Sequence, residues 1–160
     1  MSDDELVDVI SGVTNLTQED ISSMRDPREF AARLSSIALQ TAYAEPGEDE
    51  WDLDPVHFAK RVAPDNSPDH PSLEFERGTR RIYAVFPSEH TKADEVMVKW
   101  YRTDRPELLM LKKKRIAPRD DQSFVWLEQN GGWPSGEYAV EFFTSDERLA
   151  RIATGQFTVR

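Results

Sequence analysis

The sequence predicts an α+β chain in which short helices precede an antiparallel β-sandwich of about seven strands. Three observations carry that reading. Helix-start signals recur within residues 1–44, the hydrophobic period changes to two after residue 73, and turn-forming residues then recur at short intervals. The expected divisions are short amphipathic helices over 1–44, an acidic Pro-rich connector over 45–72 and the sandwich over 73–160.

Ser2 and Glu5 match a capping box, in which hydroxyl and carboxylate each satisfy a free backbone N–H. Leu6, Val7, Ile10 and Val13 follow on one face. Thr17-Gln18-Glu19-Asp20 marks a second start, with Ile21 and Met24 inward. Asp26-Pro27-Arg28-Glu29 marks a third, with Asp as N-cap and Pro at the first helical position, where its missing N–H costs nothing. That helix carries Phe30, Leu34 and Ile37 on one stripe and is expected to end near Ala44. The stripes are narrow, so each helix is marginal until it docks on something.

The connector holds Pro46, Pro55, Pro64, Pro68 and Pro71, and an acidic run over 48–54 that includes Trp51 and Leu53. One short helix is expected from Asp54 and Pro55 through Val62. Turn composition over 65–72 places the domain boundary there.

Beyond it, Ile82, Ala84 and Phe86 alternate, as do Val96, Val98 and Trp100. Two shorter apolar runs cover 108–111 and 124–127, with Phe124 and Trp126 sharing a face. Tyr138, Val140 and Phe142 follow, then Phe157 and Val159. Pro87-Ser88, Asp104-Arg105-Pro106, Pro118-Arg119-Asp120-Asp121, Asn130-Gly131-Gly132 and Thr144-Ser145-Asp146 separate these strands.

Trp100 on the second clear strand and Gly136-Glu137-Tyr138-Ala139-Val140 together resemble an immunoglobulin-like β-sandwich. The second motif looks like a tyrosine corner, whose hydroxyl bonds back to the preceding turn. The chain has no cysteine, so the resemblance is to disulfide-free, fibronectin type III-like members, such as the small domains of bacterial proteins. It covers 73–160. It implies a binding or spacing module and brings no catalytic residues; residues 1–72 resemble no family.

Net charge is −10, unevenly spread. Residues 1–75 hold 5 Lys+Arg against 17 Asp+Glu, whereas residues 76–160 hold 15 against 13. Phosphate repels such a chain, so no nucleic-acid partner is expected. No apolar run is long enough to span a bilayer. With Met1 as native start the expected location is the cytoplasm; with a longer native chain, the cell envelope.

His57, His70 and His90 lie far apart, and no serine sits in a nucleophile-elbow context, so neither an enzyme nor a metal or cofactor is expected. The acidic run lacks the spacing of a calcium loop. Lys112-Lys113-Lys114-Arg115 is the single basic run, read either as the guard of an edge strand or as an intramolecular hold on the acidic half. Trp133 is expected to close the bottom of the core. Asn15-Leu16-Thr17 fits a glycosylation sequon, although Thr17 is already assigned to a cap.

The expected function is therefore a non-catalytic protein-interaction or adaptor protein, with the sandwich as platform and the acidic half as docking arm. Trp51, Leu53, Lys112, Lys113, Lys114 and Arg115 are the expected contacts for another protein. The alternative is an envelope or surface module that takes carbohydrate or matrix through strand-end loops.

Overall fold

A computed structural model describes residues 14–43, 53–88, 94–116 and 121–160. The helix expected behind Ser2 and the residue Trp51 lie outside them.

Thr17 caps α1 (Gln18–Ser22): its hydroxyl accepts from Asp20 N and the Asp20 carboxylate accepts from Thr17 N, each at 3.0 Å. Asp26 caps α2 (Pro27–Leu39) by accepting from Glu29 N at 3.1 Å. This helix buries Phe30, Ala31 and Leu34. It stops short of Ala44 because its apolar stripe runs out: Leu39 is exposed, and Gln40 turns extended while its N–H closes on Ser36 and Ile37 carbonyls.

The helix expected from Asp54 through Val62 is replaced by three short strands, β1 (Asp54–Pro55), β2 (His57–Ala59) and β3 (Arg61–Val62). Val56 and Phe58 are buried and His57 between them is exposed, a period of two that an Asp-Pro start signal cannot override. The strand-rich body therefore begins at Asp54 rather than at Leu73. β4 (Pro68–Asp69) and β5 (Glu74–Phe75) follow, and then six longer strands. These are β6 (Arg81–Pro87), β7 (Glu95–Arg102), β8 (Glu107–Arg115), β9 (Gln122–Glu128), β10 (Gly136–Thr144) and β11 (Arg151–Val159). Among the described residues eleven strands thus stand where about seven were expected, and the surplus comes from the two- and three-residue strands of 54–75.

The larger sheet runs β1-β11-β10-β7-β8, with β5 also on β11; the smaller runs β2-β6-β9; β3 and β4 form a separate ribbon. One core joins the two sheets. Phe86 stacks on Phe142 at 4.1 Å, Phe58 meets Phe157 at 4.7 Å, and Trp100 and Val140 lie between. The arrangement is compatible with a β-sandwich within an α+β chain.

A second apolar cluster lies on the other face of the larger sheet. Ile21, Phe30, Ala31 and Leu34 pack there against Met97, Leu111, Phe143 and Leu149. The thin helical stripes find their partner in this way, and β7 and β10 are buried on both faces. Strands covered on both sides read as continuous apolar runs rather than alternations. Amides of Phe30 and Leu34 are accordingly expected to exchange as slowly as those of β8; fast native-state exchange throughout α2 would show that the helices do not hold the sheet.

Pairing with β6 sets the facing of β9, which the sequence leaves open, and keeps Phe124 and Trp126 on one face as expected. Register with β6 sets Val125 beside Ala84 and Leu127 beside Ile82, so Ser123, Val125 and Leu127 face the core and Phe124 and Trp126 face away. The two aromatics find contacts outside it instead. Phe124 meets the Tyr83 ring at 5.6 Å, and the Arg81 guanidinium lies 3.9 Å over the Trp126 ring.

Candidate functional site

The glycine-rich corner ahead of β10 is structural. Gly132 has φ +93°, and a Cβ there would fall 2.5 Å from the Gly78 Cα, so two backbones touch where no side chain fits. That approach delivers Trp133 into the core among Trp100, Tyr138 and Phe157, with Trp133 N donating to the Thr79 carbonyl at 2.8 Å. The Tyr138 hydroxyl donates to the Pro134 carbonyl at 2.7 Å. Arg102 ties the corner down, donating to both Asp104 carboxylate oxygens and, at 2.6 Å, to the Ser135 carbonyl. Hydrogen bonds from Arg102 hold the Asp104 carboxyl well below the usual range.

Buried charge gathers between α2 and the larger sheet. Glu141 lies directly across from Lys99 in the β10–β7 register, and Arg151 reaches Glu141 at 2.7 Å, both side chains more than nine-tenths buried. Lys99 Nζ sits 4.2 Å over the Tyr101 ring and donates to the Gln40 carbonyl at the end of α2, where a cation suits the helix dipole. Burial lowers the Lys99 amine to about 8, Arg151 adding to the fall and Glu141 opposing it. Burial, and then Glu141, push the Tyr101 hydroxyl up. A cleft of about 340 Å³ opens here, lined by Ser36, Gln40, Lys99, Glu141, Phe143 and Arg151. Arg151 and Glu141 pair in its wall, and Lys99 ties that wall to the end of α2.

β8 is a sheet edge, and the basic run sits on it. Lys113 pairs with Asp20 at 3.6 Å and Glu95 at 3.4 Å. The Asn15 side chain donates to the Lys113 carbonyl at 2.9 Å and accepts from Lys113 N at 2.7 Å, occupying the edge as a one-residue strand would. The sequon at Asn15 is thereby taken up by the fold. Lys112 and Arg115 are exposed and Lys114 half-buried. Leu53 is half-buried where the chain enters β1, far in sequence from the basic run.

The solvent side of the smaller sheet presents a different surface. Arg81, Tyr83, Phe124 and Trp126 form one ridge there: guanidinium on indole, Arg81 Nη1 to the Tyr83 hydroxyl at 3.3 Å, and Tyr83 edge-on to Phe124. Trp126 is 44% exposed; among the described residues the other large exposed apolar side chains are Leu39 and Leu73.

Sequence reasoning missed both the buried charges and the ridge. The former had a signal. Lys99 interrupts Met97-Val98-Lys99-Trp100-Tyr101 and Glu141 interrupts Ala139-Val140-Glu141-Phe142-Phe143, and one charge inside each of two apolar runs points to a buried pair. The ridge had none, because Phe124-Val125-Trp126-Leu127 is apolar at every position and leaves the facing open.

No family model matches the chain, and no curated protein matches it.

Proposed function

We propose that the chain is a non-catalytic protein-interaction module built on an immunoglobulin-like, fibronectin type III-like sandwich. The strand order β2-β6-β9 against β11-β10-β7-β8, the inward Trp100 and the Tyr138-to-Pro134 bond support the fold assignment. One observation carries the function: the ridge of Arg81, Tyr83, Phe124 and Trp126 on the sheet face that the two described helices leave uncovered. Trp, Tyr and Arg are the side chains that dominate protein interfaces, because each offers large contact area with few torsions to freeze.

The docking arm is correspondingly shorter than the whole acidic half, since α1 and α2 already cover the larger sheet. Leu53 and Trp51, with the exposed Lys112 and Arg115, are secondary contact points in this reading. Carbohydrate binding is the weaker alternative. Stacking on a sugar wants a bare ring, and Arg81 already lies over that of Trp126.

Trp126→Ala tests the proposal. Stability should change by less than about 1 kcal/mol, as for an exposed site. Binding of any partner captured by the full chain should weaken by roughly 30-fold, the scale of a hot-spot truncation. Partners held equally by both proteins in quantitative affinity capture would refute the role of the ridge.

A further inference from the structure

The edge of the smaller sheet adds a second feature beside the ridge. In the β6–β9 pair, Ser88 N donates to the Asp121 carbonyl and Gln129 N to the Arg80 carbonyl. Residues along an antiparallel pair alternate between facing the partner strand and facing away. These two bonds therefore fix the phase: odd-numbered residues 121–129 turn their N–H and C=O toward β6, and Gln122, Phe124, Trp126 and Glu128 turn theirs outward. The Asn66 side chain takes the Gln122 carbonyl at 3.2 Å. Among the described residues nothing pairs with the outward backbone groups of Phe124, Trp126 and Glu128.

The edges at β8 and β9 are thus treated differently. On β8 an asparagine fills the outward groups of the middle residue, Lys113, and four consecutive basic residues follow one another along the strand. Lysines on an edge oppose strand addition. β9 carries no basic residue and no proline, and its asparagine closes only one end.

We propose that β9 is the site where a second copy of this chain adds, antiparallel and about a two-fold axis through Trp126. The three free residues are self-complementary in that register alone: Trp126 stands opposite Trp126 of the second copy, and Phe124 opposite Glu128. All outward groups of the three residues are then bonded, and Gln122 stays with Asn66. Charge agrees with this pairing. Glu128 is the one charged side chain of β9, and it faces Phe124 rather than its own equivalent, so no like charges meet across the seam. The contact is a short ladder, below the area of a stable interface, so association is weak and concentration-dependent. Each copy carries −10, so added salt strengthens the dimer by screening.

This inference rests on the reading that this side of the molecule meets proteins, and it names the partner. Its test exploits the absence of native cysteine. Opposed Cα atoms in a hydrogen-bonded pair are about 5.5 Å apart, within disulfide reach. Trp126→Cys should therefore form a covalent dimer under mild oxidation. Phe124→Cys alone should not, because its own equivalent lies about 13 Å away along the strand. A mixture of Phe124→Cys and Glu128→Cys should cross-link as a heterodimer.

Sedimentation of the wild-type chain provides the second measurement. It should show a dimer that grows with concentration and salt. Trp126→Pro, which removes an outward N–H and leaves the β6 ladder intact, should stay monomeric. A wild-type chain that sediments as a monomer up to millimolar concentration, or Phe124→Cys cross-linking to itself as fast as Trp126→Cys, would overturn the proposal. A monomeric wild type that still captures another protein through Trp126 would remove the dimer and leave the interaction module standing.

Discussion

Trp133→Ala is expected to cost about 3–5 kcal/mol, the scale of a buried aromatic truncated to alanine. Trp133 is 1% exposed and lies with its ring centroid 4.9 Å from Tyr138, 5.5 Å from Phe157 and 5.9 Å from Trp100. Its removal opens a cavity beneath three aromatic rings, none of which can follow it. Trp100 and Phe157 belong to β7 and β11, each paired with β10, and Tyr138 is anchored to the Pro134 carbonyl. Because Gly132 and Gly78 are in backbone contact, the corner has no slack with which to collapse into the space. Urea unfolding gives the measurement, with Trp126→Ala as the exposed control. Loss below about 1 kcal/mol would mean that Trp133 is not part of the core.

Where the sequence was legible, burial and period agreed. Val96, Val98 and Trp100 point inward as their alternation requires, and the Thr17 and Asp26 caps start the two described helices because each satisfies backbone N–H groups locally. A misreading arose where tertiary burial outvoted a local signal. Asp54-Pro55 is a good helix start, but Val56 and Phe58 fill the space between the sheets only from an extended chain. The facing of Phe124 and Trp126 was open rather than misread, and the register with β6 decides it by putting Val125 beside Ala84 in the core. The helix layer was hidden for a related reason. Met97, Leu111 and Phe143 look like surplus apolar residues on an outward face until α1 and α2 are known to cover them.

That covered face also sets the other large effect. Glu141→Ala is expected to cost about 3–5 kcal/mol, because it leaves the buried Arg151 without its carboxylate. Glu141→Leu with Arg151→Met should recover most of the loss, since replacing both partners leaves no unpaired charge. pH separates this account from simple packing. The Lys99 amine is lowered from 10.5 to about 8 chiefly by burial, so between those values the unfolded chain binds more protons than the folded one. Stability carried by this group therefore rises as pH climbs from about 8 toward 10.5. Tyr101 acts in the opposite sense. Its raised hydroxyl stays protonated in the fold, so folding loses ground once the unfolded phenol begins to ionise near 10. Relative to Lys99→Met, wild type should thus gain stability from pH 8 to pH 10, measured by urea unfolding at intervals across that range. In Glu141→Ala the same gain should begin below pH 8, since Glu141 is the group that holds the Lys99 proton on. A flat difference between wild type and Lys99→Met across this range would mean that Lys99 is solvated, and that α2 does not seal the charged face of the sheet.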